Sequence, residues 1–279
     1  MPRRSRTKLP DLAKGRGGKN KPLPRREKAR KLAARTVVVE QHPALIPVTR
    51  LYAWIGWFLL LPACVVTAVT LWNLLGDAIG ESAFWRTPAF WFFAMGFVMW
   101  VIWFLWLPRP VTLYVWGHEM THALCVLACG GKVKEFRVTG TGGHVITDRN
   151  NILIALSPYF FPLYTVAGVL AFLITGLFVD LTVLIPLPWG GGVRPLYGLF
   201  YVIGITWGFH LTFTVWMIAR DQPDLKINGT FFSLMVIILV NLLIISMLLI
   251  LAAPQLSVKA WGHRWVECGL QAFRLLKGG

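Results

Sequence analysis

The stretch TFFSLMVIILVNLLIISMLLILA, residues 230–252, contains no Asp, Glu, Lys, Arg or His. About 20 apolar residues are enough for a helix to cross the hydrocarbon core of a bilayer. Five more apolar runs of comparable length precede this one, at about 52–75, 89–107, 111–129, 152–179 and 197–219. The pattern predicts an all-α, multi-pass membrane protein with about six transmembrane helices.

The basic residues are concentrated at the N-terminus. The chain has 28 Lys and Arg residues against 12 Asp and Glu, and 15 of the basic residues lie in residues 1–50. Residues 1–35 lack an apolar period, so we expect residues 1–50 to form a largely disordered basic tail that touches anionic lipid. Because no aromatic residues alternate with its charges to stack on bases, we expect no nucleic-acid partner.

The charge distribution also predicts the orientation and the domains. Basic segments next to transmembrane helices favour the cytoplasmic side, so we expect the N-terminus in the cytoplasm, and six crossings return the C-terminus there. We expect residues 51–253 to form the membrane domain and residues 254–279 a short cytoplasmic segment that suits an amphipathic helix. The localisation expected is the inner (plasma) membrane of a bacterium.

The segment KVKEFRVTGTGGHVITD, residues 132–148, differs in composition from the apolar runs. Its Val, Phe and Ile residues surround a Thr-Gly-Thr-Gly-Gly centre, a pattern that favours a short β-hairpin after the third transmembrane helix. Extended backbone near a membrane is tolerated only where protein buries it or water wets it.

The third apolar run contains three ionisable residues within five positions, in YVWGHEMTHALCV, residues 114–126. His118 and His122 are four residues apart, so on a helix their side chains share one face, about 5–6 Å from each other. Two imidazoles so placed can bind one tetrahedral Zn²⁺, with Glu119 beside them as general base, the arrangement of the zinc metalloprotease motif. Zinc lowers the pKa of bound water towards about 7, and the glutamate accepts its proton as the water attacks a carbonyl.

The longer stretch GHEMTHALCVLACGGKVKEFRVTGTGG resembles the site-2 protease family of intramembrane zinc metalloproteases. In that family a membrane-embedded His-Glu-x-x-His helix often continues through a small residue and Gly-Gly into a Val-rich hairpin. The resemblance covers residues 114–146 and implies that His118 and His122 are zinc ligands and Glu119 the general base. The chain departs from the family in lacking an Asn-Pro…Leu-Asp-Gly motif, whose aspartate is the third ligand.

The third ligand must therefore be another residue of this chain. His210, in TWGFHLTFTVW, is the only ionisable residue inside the fifth apolar run and is expected at a depth comparable to that of His122, which makes it the first choice. The alternative is a carboxylate in the loop RDQPDLKING, either Asp224 or, less favoured, Asp221. Asp224 directly follows a proline and comes shortly before a glycine, Gly229, which resembles the setting of the family's aspartate. If both His210 and Asp224 matter, the carboxylate could orient a ligating imidazole.

Two features of the later runs suit a hydrolytic site. Pro158 and Pro162 each remove a helix hydrogen bond, so they predict a kinked fourth run, where the kink could admit water. Asn241, inside the sixth run, is expected to hydrogen-bond a neighbouring helix, the alternative being the backbone of a substrate.

The function predicted from these residues is that of a zinc metalloendopeptidase. We expect it to hydrolyse a peptide bond of a membrane-protein substrate within or near the bilayer, with the hairpin edge binding the unwound substrate by strand addition. The main alternative is a non-catalytic transporter or scaffold that uses the His and Asp residues as a metal or proton relay. A haem-binding electron-transfer protein is a third possibility, although histidines four apart on one helix suit a small ion better than a macrocycle.

Overall fold

The computed structural model describes residues 49–80, 84–139, 142–188, 190–220, 222–252 and 256–277. Nearly all of the predicted basic tail and the alternative ligand Asp221 lie outside these residues. The described part is mostly helical, as the apolar runs predict, and its strands form two small antiparallel pairs.

Short 3₁₀ or π turns at Gly56–Leu60, Phe84–Arg86 and Ser157–Tyr159 interrupt or connect the helices. The helices are α1 Thr49–Ile55, α2 Leu61–Gly80, α3 Pro88–Trp106, α4 Val111–Ala128, α5 Ile152–Leu156, α6 Leu163–Gly176, α7 Leu196–Ile218, α8 Pro223–Ile227, α9 Thr230–Ala252 and α10 Val258–Leu276. The strands are β1 Val133–Thr139, β2 Gly142–Thr147, β3 Ile185–Pro186 and β4 Gly192–Val193.

Four helical segments in the described part of the chain are long and apolar enough to cross a membrane. They are Arg50–Gly80, Pro88–Trp106, Leu196–Ile218 and Thr230–Ile250. The third predicted run forms α4, which does not reach that apolar character because it carries the ionisable residues. The fourth predicted run is broken into Ile152–Tyr159 and Leu163–Gly176, which bend by 76°. Four apolar helices are compatible with the predicted membrane protein, whereas six crossings stay a prediction.

Helices α3 and α7 pack with their backbones in close approach. A Cβ atom added at Gly96 would lie 2.2 Å from the carbonyl oxygen of Tyr201, and one added at Gly204 would lie 2.1 Å from that of Phe93. Apolar side chains drive no association in lipid, so small residues that allow close backbone packing hold such helices together. The pair fixes the position of α7, and with it the position of His210.

The first apolar segment, Arg50–Gly80, has 31 residues. At 1.5 Å per residue it is about 46 Å long, well beyond the roughly 30 Å of a hydrocarbon core. Its last turns carry Asp77, which forms an ion pair with Arg264 of α10, and Trp265 Nε1 of α10 donates a hydrogen bond of 2.9 Å to Thr67 Oγ1. The C-terminal helix α10 thus packs along the second half of the first apolar segment.

The predicted hairpin is confirmed, and it folds back along α4. Gly130 adopts a φ of +70° after the end of α4, where the chain reverses. Strands β1 and β2 pair antiparallel, from Val133 opposite Thr147 to Thr139 opposite Gly142. Val145, on β2, is wholly buried. The hairpin therefore covers one side of the helix that carries the His-Glu-x-x-His motif.

Candidate metal centre

His118 and His122 lie one turn apart on α4, as their spacing predicts. Their exposed fractions are 4% and 0%, and their Nε2 atoms are 3.2 Å apart. Both rings point to one spot rather than along the helix surface. The helix therefore presents two imidazole nitrogens to a single small ligand in a buried position.

Asp224 completes the group from a different part of the chain. It lies in the first turn of the short helix α8, which begins at Pro223, and its side chain is wholly buried. Its Oδ2 atom is 3.4 Å from His118 Nε2 and 3.7 Å from His122 Nε2.

The three side chains fit a tetrahedral metal ion. Their ligand atoms all lie within 4.8 Å of one another. Among the described residues, this is the one group of at least three His, Cys, Asp or Glu side chains close enough to bind a metal ion together. Zn–N and Zn–O bonds of about 2.0–2.1 Å at tetrahedral angles place ligand atoms about 3.3 Å apart. The three distances of 3.2, 3.4 and 3.7 Å are close to that value. Two imidazoles and one carboxylate also leave a fourth position open, as in catalytic zinc sites.

The backbone holds His122 in the tautomer that a metal needs. Its Nδ1 is 2.8 Å from the carbonyl oxygen of Ile154. A carbonyl only accepts, so Nδ1 carries the proton and Nε2 keeps its lone pair for the metal. Asn151, whose side chain accepts a hydrogen bond from the Ile154 backbone N–H, caps α5 and fixes that carbonyl in turn.

Two buried tyrosines support the group, and neither was predicted from the sequence. The Tyr114 hydroxyl and His118 Nδ1 form a hydrogen bond of 3.1 Å. The Tyr159 hydroxyl donates a 3.1 Å hydrogen bond to Asp224 Oδ2. Tyr114 precedes His118 by four residues, so helical spacing would have revealed it. Tyr159 becomes a partner of Asp224 only when distant segments pack together.

Glu119 is wholly buried, and neither of its carboxylate oxygens has a hydrogen-bond partner among the described residues. Leaving a buried polar group unpaired costs about 1–3 kcal/mol, and more for a charged group, so an unpaired carboxylate next to the metal group is a candidate for a functional role. Strand β2 lies directly against it, since a Cβ atom added at Gly143 would be 2.7 Å from Glu119 Cγ. The general base predicted from the motif is therefore held between α4 and the hairpin.

The structure does not bring His210 into the group. His210 is buried in α7 and lines a small cavity together with His118, but the group of potential ligand atoms contains Asp224 instead. The geometry thus favours the alternative third ligand over the first choice. The prediction of a hydrogen bond from Asn241 to a neighbouring segment is confirmed, because its Nδ2 donates to the Tyr159 carbonyl at 3.1 Å.

No protein-family model, curated protein or solved structure matches the chain. The resemblance to the site-2 protease family rests on the residues of α4 and the hairpin alone and stays a prediction.

Proposed function

We propose that this protein is a membrane-embedded zinc metalloprotease that hydrolyses a peptide bond of a membrane-protein substrate. His118, His122 and Asp224 are the zinc ligands, and Glu119 is the general base. The proposed setting is a bacterial plasma membrane with both termini in the cytoplasm. Bound zinc would supply the Lewis acid that polarises the scissile carbonyl and activates water.

One observation carries the proposal. Two imidazole nitrogens and a carboxylate oxygen from segments about 100 residues apart meet within 4.8 Å, and Glu119, which follows the first histidine, is buried with both oxygens unpaired. A relay or scaffold would explain the three ligands. A scaffold would not explain an unpaired carboxylate fixed beside them, whereas a general base requires one. A proton relay would also use such a carboxylate, and peptide cleavage by Glu119→Gln separates these two functions.

The chain's own residues divide the chemical work. Glu119 accepts a proton from the attacking water and passes it to the leaving amine. The Ile154 carbonyl and the Tyr159 hydroxyl orient His122 and Asp224, so that the ligand atoms are placed before substrate arrives. Burial of the whole group excludes bulk water and strengthens each electrostatic interaction within it.

The hairpin is the proposed substrate-binding edge. A two-stranded sheet leaves backbone N–H and C=O groups on its outer edges, which an extended peptide can pair with. Strand β2 lies beside Glu119, so a peptide bound there would pass close to the general base. Exposed charged residues on β1, including Glu135 and Arg137, indicate that this side of the hairpin is wet.

The test begins with a metal count on purified protein. We expect about one zinc ion per wild-type chain, loss of zinc in His118→Ala and Asp224→Ala, and full zinc in the control Asp180→Ala, whose carboxylate is exposed. Glu119→Gln should keep its zinc and lose about 10²–10⁴-fold in the rate of peptide cleavage. Cleavage at the wild-type rate by Glu119→Gln would refute the mechanism. Zinc transport into vesicles without proteolysis would favour a relay instead.

A further inference from the structure

His210 has no role in the proposed metal group, yet it is buried in the middle of α7 with 8% of its surface exposed. Its Nε2 atom has no hydrogen-bond partner among the described residues. A buried imidazole nitrogen without a partner costs about 1–3 kcal/mol, so where such a nitrogen also faces a cavity, a small polar molecule bound there would be stabilised.

The cavity that His210 lines suits one small polar molecule. Its volume is about 20 Å³, above the roughly 10–15 Å³ that a single water molecule needs. His118, whose Nε2 belongs to the metal group, lines the same cavity. A molecule bound there would be in contact with a ligand of the metal.

The walls of the cavity offer hydrogen-bonding groups besides His210. Thr206 donates its hydroxyl proton to the Val202 carbonyl, and Thr121 donates to the Gly117 carbonyl. The Thr206 oxygen already accepts a 3.0 Å hydrogen bond from the Thr165 hydroxyl. The Thr121 oxygen is therefore the hydroxyl acceptor that is better placed to bind a further molecule. Together with an imidazole nitrogen it provides two of the two to four polar partners that an internal water requires.

The cavity also lies at the break in the fourth predicted run. Pro158, Phe161 and Leu163, which flank the 76° bend, form part of its wall. Residues at a bend lack part of the regular helix hydrogen-bonding pattern and can separate more easily than a continuous helix. The break therefore forms part of the cavity wall, at the point where the helix hydrogen-bonding pattern is interrupted.

We propose that His210 holds an internal water molecule in this cavity, and that this site replenishes the water consumed by hydrolysis. The second part rests on the proposed protease function, whereas the water site itself does not. His210 is then a positioning residue that acts through water, and not the third zinc ligand. Its imidazole binds the water beside His118, and the protein takes up each new water through the bend at Pro158.

Three variants test this proposal. His210→Leu removes the nitrogen at similar volume, and His210→Gln restores an amide at about the reach of Nε2. Thr214→Val is the matched control, because Thr214 is one turn further along α7, is equally buried and has an unpartnered hydroxyl, but does not line the cavity. The readouts are ordered-water density in a high-resolution structure, zinc content, and kcat and KM for peptide cleavage.

We expect water density bonded to His210 Nε2 in the wild type, loss of that density in His210→Leu, and its return in His210→Gln. Zinc content should be unchanged in all variants. We expect kcat to fall about tenfold in His210→Leu, the factor that corresponds to one hydrogen bond, with KM constant and with recovery in His210→Gln. Thr214→Val should cleave at the wild-type rate.

Other results would overturn the proposal. Loss of zinc in His210→Leu would make His210 a ligand, and water that persists in His210→Leu would show that the imidazole does not hold it. An equal loss of kcat in Thr214→Val would point to packing of α7. If the wild type binds no zinc or Glu119→Gln still cleaves, the protease function fails, and the water site is then judged by the density alone.

Discussion

The hydroxyl group of Tyr159 helps to hold Asp224 in position in the candidate metal centre. The Tyr159 ring is wholly buried, and its hydroxyl donates to the Asp224 oxygen that faces both histidines. Tyr159→Phe removes only that hydroxyl, so the ring packing remains while the carboxylate loses the group that orients it. Because hydrogen bonds behind metal ligands contribute about 10–100-fold to affinity, we expect zinc to bind more weakly by that factor.

The measurement is a zinc titration against a competing chelator on purified protein. Tyr201→Phe is the control, since the Tyr201 hydroxyl contacts the Met99 sulfur, away from the metal group. The control should bind zinc as the wild type does. Equal zinc affinity in Tyr159→Phe and Tyr201→Phe would show that the Tyr159 hydroxyl does not position Asp224.

Single residues also show where prediction from the sequence succeeds and where it stops. His118 and His122 could be paired from spacing alone, because a helix fixes which residues share a face. Asp224 could not be preferred over His210, because its position depends on how α8 folds against α4. His210 was favoured because its position in the fifth apolar run predicts a depth in the bilayer comparable to that of His122. A short buried helix outside the runs instead places the carboxylate next to the two imidazoles.

Strand β2 and helix α4 are in close contact at Glu119, the proposed general base. A methyl group at Gly143 would lie 2.7 Å from Glu119 Cγ and 2.9 Å from Val115 Cγ1, so Gly143→Ala must displace the glutamate or lift the hairpin. Misplacing a catalytic group by about 1 Å can cost about a hundredfold in rate. We expect a loss of that size in kcat for Gly143→Ala, with zinc content unchanged.

Peptide cleavage and zinc content measured on the same preparation check this expectation. Gly76→Ala is the matched control, since a Cβ atom there meets no other atom within 4 Å and the residue lies in the interior of α2. It should cleave at the wild-type rate. A wild-type kcat in Gly143→Ala would mean that the hairpin does not position Glu119.

The sequence pattern predicted which helices and strands form better than it predicted how the helices bend and how the elements pack against each other. The apolar helices follow from hydropathy, and the hairpin follows from Val, Phe and Ile residues around a Gly-rich centre. Pro158 and Pro162 indicated a kink, but not that the two halves would bend by 76°. That the hairpin folds back along α4 was also beyond the pattern, because only tertiary packing brings Gly143 to Glu119.

The described residues form an apolar part and a polar part, which different interactions stabilise. Four apolar segments, among them the closely packed α3 and α7, are long and apolar enough to be surrounded by lipid. Helix α4, the hairpin and α8 carry buried ionisable residues and an exposed charged strand. Irregular or extended backbone survives at membrane depth only when protein or water satisfies it. The arrangement therefore calls for a wet site enclosed by apolar helices.

The number of crossings follows from whether α4 spans the bilayer, and three exposed positions decide it. With six crossings and a cytoplasmic N-terminus, Lys132 after α4 is external, whereas Asp180 after α6 and Lys259 in α10 are cytoplasmic. With only the four apolar segments crossing, Lys132 and Asp180 lie on the same side. We expect the six-crossing pattern, because a metal site inside the bilayer requires the helix that carries it to enter the bilayer.

Single cysteines introduced at these three positions, in a chain whose four native cysteines are replaced, allow the pattern to be measured. A membrane-impermeant maleimide should label Lys132→Cys in intact cells, and Asp180→Cys and Lys259→Cys only after the membrane is opened. If only the four apolar segments crossed and α4 lay on the membrane surface, Lys132→Cys and Lys259→Cys would lie on the same side. Both would then be labelled only after the membrane is opened. If the bent pair crossed while α4 did not, Lys259→Cys would become external. Each of these two patterns contradicts six crossings, so the labelling tests whether the histidine helix passes through the bilayer independently of any measurement of zinc or cleavage.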